Sequence, residues 1–358
     1  MSKSTVFFQE VKNSKDKVQV KSKFKQLIKE SKLCDDFGKG EFVAIKTHMG
    51  EKNNAGHVSA EVIKALVDKI KSKAAKPFIT DTNVIYHGQR ANAVDHLMLA
   101  NEHGFNITNL GCPVIIADGI FGEDAQDVHI DKKHFKNINI AKPVLYLDNI
   151  VSVAHATSHI LTGFAASIKN IGMGFAARAG KLRQHASIKS QVVEEKCVFC
   201  KLCISNCPVK AIVDKEGKAF IQENVCVGCA ECLVACKFNA ISVDYGENAK
   251  IMVEKMVEYA YGILSKVQRK VFFNFALKIT KNCDCLAQDE PSIVRDLGIF
   301  ASRDPVACDK AVADMVLAAA GEDVFKKAYP EADLYINQLT YAQKTGLGNL
   351  EYTLINVG

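Results

Sequence analysis

Eight of the thirteen cysteines in this 358-residue chain lie between Cys197 and Cys236, and their spacing constrains the chain more than any other feature. The segment CVFCKLCISNCP places Cys197, Cys200, Cys203 and Cys207 in the pattern C-x2-C-x2-C-x3-C, followed by Pro208. CVGCAECLVACK repeats that pattern at Cys226, Cys229, Cys232 and Cys236. Each equivalent pair is 29 residues apart, and Ala211-Ile212 is answered by Ala240-Ile241, so the segment is an internal duplication. Cysteine-dense disulfide scaffolds are short, secreted and loop-rich. This chain is long, with the 48% apolar and 24% charged content of an ordinary globular protein. Thirteen cysteines in a reducing compartment then point to bound metal or to thiol chemistry.

The duplicated run resembles the bacterial two-cluster ferredoxins. That resemblance implies two 4Fe–4S clusters, in which three thiolates of one loop reach three corners of a cubane and the fourth cysteine crosses to the neighbouring cluster. Cluster one would be held by Cys197, Cys200, Cys203 and Cys236, and cluster two by Cys226, Cys229, Cys232 and Cys207. The residues between ligands (Val198, Phe199, Val227, Gly228, Ala230) are mostly small or apolar, as a water-shielded cluster requires. Asp214–Lys218 reads as a hairpin turn joining Ala211–Val213 to Ala219–Gln222. The competing reading is a pair of structural zinc sites, which rarely use this triple spacing.

On both sides of this run, short apolar segments alternate with helical patterns. Glu41–Lys46, Pro77–Asp81, Val114–Asp118, Pro143–Val153 and Lys270–Thr280 read as strands. Val58–Lys73, with Ser59 near its start, Ala91–His103 stopping at Gly104, Glu247–Lys266, and Pro305–Ala320 opened by Asp304 read as helices. Such alternation implies an α/β fold with a parallel or mixed sheet. The length suggests roughly two domains. Neither flank looks complete alone, so the expected organisation is one α/β domain built from residues 1–190 and 246–358, with a two-cluster, bacterial-type ferredoxin α+β domain inserted at 191–245.

Ligands of open α/β sheets gather at the carboxyl ends of the strands. Polar residues follow the predicted strands here: Thr47 to Lys52, Asp81-Thr82-Asn83, Asp118-Gly119, and His155 to His159. Together they imply a small-molecule cleft. His48 follows a buried strand and is the best single acid–base candidate. His155 and His159 share a face if helical, and would then serve as an acid–base pair or metal ligands. Lys169 precedes Gly172-Met173-Gly174, whose amides could cradle an anion. His185, with Lys181 and Arg183, would lie between cluster and cleft. Cys283 and Cys285 point the same way in extended chain, so they could bind an additional metal, with Cys308 or Cys112 approaching, or form a redox-sensitive dithiol. Cys34 and Cys112 read as core residues.

The runs VAIKTHMGEKNN, TDTNVIYHGQRANAVDH, IIADGIFGED, HATSHILTGFAASIKNIGMGFAARAGKLRQH, NCDC and PSIVRDLGIFASRDPVACDK resemble an uncharacterised prokaryotic family. Its members are labelled iron–sulfur-centre proteins, or a domain of unknown function carrying a ferredoxin insertion. The resemblance covers nearly the whole chain and implies the inserted architecture and both clusters, without supplying a substrate. GFAASIKNIGMG, preceded by His155 and His159, also resembles the His/Lys cofactor-site region of nickel-pincer lactate racemases, although a racemase has no need of a ferredoxin. Lys plus Arg exceed Asp plus Glu by only six, too few to argue for nucleic acid as partner. The N-terminus lacks a signal-peptide apolar run. The uncharged stretch Asn149–Ile168 carries polar groups too costly for hydrocarbon. The expectation is a cytoplasmic protein without membrane or nucleic-acid partners. Two functions remain open: a ferredoxin-dependent oxidoreductase fed by an electron-donating redox protein and acting on a cleft-bound small molecule or metal, or a non-catalytic electron carrier or docking partner in a redox or metal-handling pathway.

Overall fold

The computed structural model describes residues 3–358 except 87, 187–189, 228–231, 233, 234, 237, 239, 244–246, 331 and 332. Its centre is an eight-stranded sheet made of β1 (Ser4–Glu10), β2 (Phe42–Thr47), β3 (Lys76–Asp81), β4 (Val114–Ile116), β7 (Asn149–His155), β14 (Arg269–Ala276), β15 (Gly298–Ser302) and β16 (Tyr352–Asn356). Four small antiparallel pairs lie outside it: β5 (Ala125–His129) with β6 (Asn137–Ala141), β8 (Thr157–His159) with β9 (Gly163–Ala165), β10 (Ser190–Val192) with β13 (Ile241–Val243), and β11 (Ile212–Lys215) with β12 (Lys218–Ile221). The main sheet runs in the order β16-β1-β15-β14-β7-β2-β3-β4. Its five strands from β14 to β4 are parallel; β15 runs against both β14 and β1, and β16 parallels β1. The fold is therefore mixed α/β with a large, mostly parallel sheet.

Strands covered on both faces read as continuous apolar runs, and alternation decides which layer each side chain joins. Val43 and Ile45, Val151 and Val153, and Val271, Phe273 and Phe275 face the layer containing helices Lys17–Ser31 and Ala60–Ser72, where Phe24, Leu27, Ile63, Leu66 and Ile70 are buried. Ala44, Ile150, Phe272 and Ala276 face the opposite layer, packed by Ile168 and Ile171, by Met256 and Ala260 of helix Glu247–Leu264, and by Val306, Val312 and Val316 of helix Pro305–Ala320. Asp304 caps that last helix by accepting from the Val306 and Ala307 amides, Pro305 opens it, and Gly321 ends it in the left-handed region at φ 71°.

Two expected strands are shorter than the sequence suggested. Pro143 begins a 3-10 turn, Lys142–Tyr146, so β7 starts at Asn149. β14 stops at Ala276, because Lys278 turns to φ 48° and its amide is drawn to Asp296 Oδ1 at 2.6 Å. β1, β15 and β16 were not anticipated. The duplicated cysteine segment forms the β10–β13 and β11–β12 pairs, and the Asp214–Lys218 turn lies where expected, with Glu216 and Gly217 at positive φ. The expected boundary at 190 falls inside β10, and that at 245 lies outside the described residues. Among the described residues no helix is long and apolar enough to cross a membrane; Asn149–Ile168 is β7, β8, β9 and the start of helix Ser167–Gly172.

Candidate functional site

From β2 the chain builds outward through β3 to β4, then returns to β7 on the other side of β2 and on to β14. The order therefore reverses between β2 and β7, and the crevice at the carboxyl ends of two such strands is where open sheets bind ligands. A cavity of about 450 Å³ opens there. His48 after β2, Asp81 at the end of β3, His155 at the end of β7, His159, Lys169 and the loop carrying Cys283 and Cys285 all line it, as do Lys181 and His185. All four expected catalytic residues thus meet in one place. Asp118 does not line it; it braces a turn by accepting from the Asn83 amide (2.9 Å) and side chain (3.0 Å).

The three histidines differ in role because their ring nitrogens have different neighbours. His48 Nδ1 accepts from the Gly50 amide (3.0 Å), so the neutral ring carries its hydrogen on Nε2, a buried atom with no partner among the described residues. Burial, with Arg90, Lys46 and Lys169 nearby, keeps its pKa well below the usual histidine value. His159 is alike: Nδ1 accepts from the amides of Leu161 (3.0 Å) and Thr162 (3.2 Å), and burial plus Lys169 keep it neutral. His155 instead has acceptors on both sides, Asp284 Oδ2 at 2.8 Å from Nδ1 and the Leu277 carbonyl at 2.7 Å from Nε2. Burial alone would lower its pKa, but the Asp284 carboxylate and the carbonyl acceptors outweigh it and raise it, and a ring with an acceptor at each nitrogen satisfies both only as the imidazolium. His155 is a fixed cation that holds the residue between the two cysteines, and the expected His155–His159 acid–base pair does not form.

Sequence reasoning missed several charges here. Lys46, buried at the end of β2, pairs with Asp81 (2.9 Å) and donates to Asn170 Oδ1 (2.9 Å). Arg90 bridges Glu51 (3.0 Å) and Asp81 (3.4 Å). The signal for Lys46 was present, a lysine inside a buried apolar strand; nothing local marks Arg90. Lys169 is half-buried on helix Ser167–Gly172, and desolvation, then Arg90, pushes its pKa down to about 8. Burial does the same to Lys181, whose Nζ reaches Thr82 Oγ1 and the Ala176 carbonyl. In and after Gly172-Met173-Gly174 the Met173 and Phe175 amides bond back to the Lys169 and Ile171 carbonyls, so neither is free to cradle an anion. A Cβ at Gly174 would collide with Lys46 and the Asn170 carbonyl, so close packing explains that glycine.

Cys283 and Cys285 are joined to each other in a disulfide, with Lys169 Nζ 3.9 Å from Cys283 Sγ. One nitrogen of His159 and the two sulfurs lie within 4.8 Å of one another, but the His159 lone pair is committed to the Leu161 and Thr162 amides, so once the disulfide is reduced only the two thiolates are left to bind a metal. Cys112 and Cys308 do not join them; they are buried in opposite core layers, and Cys34 is likewise core. In the duplicated segment, Cys197, Cys200, Cys203 and Cys236 line one small cavity with Phe199, Phe238, Ala240 and Ile241. The Ala211 and Ala240 amides donate to Cys207 Sγ (3.2 Å) and Cys236 Sγ (3.3 Å), the same contact in each copy. Of the second expected ligand set, Cys229 lies outside the described residues.

Fold and pocket together define an open-sheet α/β protein with a cation-rich pocket at the carboxyl edge of its parallel strands. The chain belongs to the family described as Domain of unknown function (DUF362), whose model matches residues 43–314. No curated protein matches the sequence. Among solved structures it is similar to the lactate racemase apoprotein from Thermoanaerobacterium thermosaccharolyticum, at 12% identity and a TM-score of 0.40, over 84% of this chain and 54% of the racemase. A protein from Thermotoga maritima gives 12% identity and a TM-score of 0.40 over 90% of this chain and 59% of its own. The chain thus spans little more than half the length of either structure.

Proposed function

We propose that this chain is an iron–sulfur protein that holds two 4Fe–4S clusters in residues 191–245 and passes electrons to a small molecule bound in the carboxyl-edge pocket. One observation carries the reading: Cys236 of the second cysteine run lines the same cavity as Cys197, Cys200 and Cys203 of the first, 29 residues earlier in register. That crossed set is what a two-cluster ferredoxin requires. The donor set fits the group, being four sulfurs among apolar walls, with amide donors on the crossing cysteines. When bound, the clusters supply one-electron transfer at potentials set partly by such amide hydrogen bonds.

The rest is work for the chain's own residues. Helix Arg178–His185 enters the cysteine segment and helix Glu247–Leu264 leaves it, and both supply pocket residues, Lys181 and His185 from the first and Met252 from the second. The segment is therefore rooted beside the pocket. His48 and His159 present Nε2 hydrogens to a ligand, Lys169 carries a proton at Nζ that can follow an arriving electron, and His155 with Asp284 positions the Cys283–Cys285 loop. Electrons would come from an external redox protein. Anaerobic purification with iron and sulfide quantitation and electron paramagnetic resonance tests the reading. About eight irons per chain and reducible cubane signals are expected; zinc, or colourless protein after air-free preparation, overturns it. Iron beyond eight, or a further metal, would place an additional metal at Cys283 and Cys285.

A further inference from the structure

The pocket wall divides by chemistry. Lys46, Arg90 and His155 each have a carboxylate partner, Asp81, Glu51 and Asp284 respectively. Lys169 and Lys181 have none within ion-pair distance among the described residues; Lys169 Nζ reaches only the uncharged Cys283 sulfur, and Lys181 a hydroxyl and a carbonyl. Lys181 is buried and Lys169 half-buried in the pocket wall, and each ammonium group faces only uncharged partners. Beside them, His48 and His159 have lost their Nδ1 lone pairs to backbone amides, so each ring offers only a donor, and the His48 Nε2 donor is buried without a partner. Two ammonium groups with no carboxylate within ion-pair distance, although Asp284 lies near Lys169 and Asp118 near Lys181, and an unsatisfied donor in one site are costly, and the group that makes favourable contact with all of them is an anion. A cation is disfavoured, because the neutral rings present hydrogens rather than lone pairs. Much of the remaining wall is apolar, with Ile85, Ile160, Leu161, Met173, Met252 and Leu286 facing a space far larger than an inorganic ion.

We infer that the pocket binds an organic anion, its acidic head held by Lys169, Lys181, His48 and His159 and its apolar body lying against the isoleucine, leucine and methionine wall. The inference rests on the reading of this pocket as the ligand site and names the chemical class of its occupant. It is independent of whether the clusters are present.

Isothermal titration calorimetry of the full chain tests it with three probes of one chain length: hexanoate, hexyl phosphate and neutral hexanamide. At least one of the two anions should bind, with the amide weaker by about tenfold or more, the loss expected when a charge-assisted hydrogen bond is replaced by a neutral one. The two acids separate a carboxylate from a phosphate head. Lys169→Met should weaken the anion by about tenfold or more and leave the amide unchanged, whereas Lys169→Arg should retain most of the affinity. Should Lys169→Met fail to give a cooperative melt, Lys181→Met carries the same expectation. Acids and amide binding alike, or no anion binding to protein that melts cooperatively, overturns the inference. Iron is quantified in the same samples. Anion binding without iron then sinks only the cluster reading, and iron without anion binding sinks only this one.

Discussion

His155 and Asp284 are buried charges that exist for each other, and the pH dependence of stability follows from the direction of each shift. Asp284 has a lowered pKa: burial opposes this, but His155 outweighs it. Its contribution is therefore complete above the unfolded value of 3.8 and is lost as pH falls through the lower folded value. His155 is raised, so its contribution is complete below 6.5 and is lost as pH rises through the higher folded value. The melting-temperature difference between the natural chain and the double variant His155→Gln/Asp284→Asn should thus be largest between pH 3.8 and 6.5 and shrink on either side. His155→Gln alone leaves a buried carboxylate without its cation and should cost about 3–5 kcal/mol in chemical denaturation. The positions of His48, His155 and His159 in the pocket were legible in the sequence, since each follows a strand predicted there; Lys169 was marked only by the glycines that come after it. Their roles were not, because tautomer and charge depend on the Gly50, Leu161 and Thr162 amides and on Asp284, which lies 129 residues beyond His155.

At the scale of elements, the short helix Ser167–Gly172 carries Lys169 and Asn170 into the pocket, yet Ala166 before it offers no side-chain cap. Asp309 of helix Pro305–Ala320 supplies one instead, accepting from the Ser167 (2.9 Å) and Ile168 (3.0 Å) amides and from Asn274 (2.7 Å). The far end of this segment depends on Gly174, where an added Cβ would run into Lys46 and the Asn170 carbonyl. Gly174→Ala should therefore cost about 1–3 kcal/mol by thermal or urea unfolding. It should also weaken ligand binding, because Lys46 and Asn170 must shift. Elements with local signals were readable: Asp304 opening the helix at Pro305, and the apolar runs of β2, β3 and β7. The edge of the sheet was not, since β15 and β16 are five residues each and their pairing depends on β1 at the other end of the chain.

At the scale of the whole molecule, the proposed clusters make a prediction that sequence neighbours alone would not suggest. Cys203→Ser and Cys236→Ser, from different cysteine runs, should remove the same cluster and lower the iron content by about four per chain. Cys34→Ser, in the core far from either run, should leave iron unchanged; colorimetric iron and sulfide assays read all three. By itself the sequence determined the periodic features. These are the doubled cysteine spacing, the α/β alternation, and the strand ends rich in histidine, aspartate and lysine. All rest on residues a few positions apart, whose geometry the backbone repeat dictates. Only the tertiary structure decided which charges meet. Arg90 reaches Glu51, Asp309 caps a helix more than 140 residues earlier, and Lys181 stands beside Thr82, because the strand order folds distant segments onto one sheet edge. Once buried there, a side chain's charge is set by the partners that surround it and no longer by its neighbours in sequence.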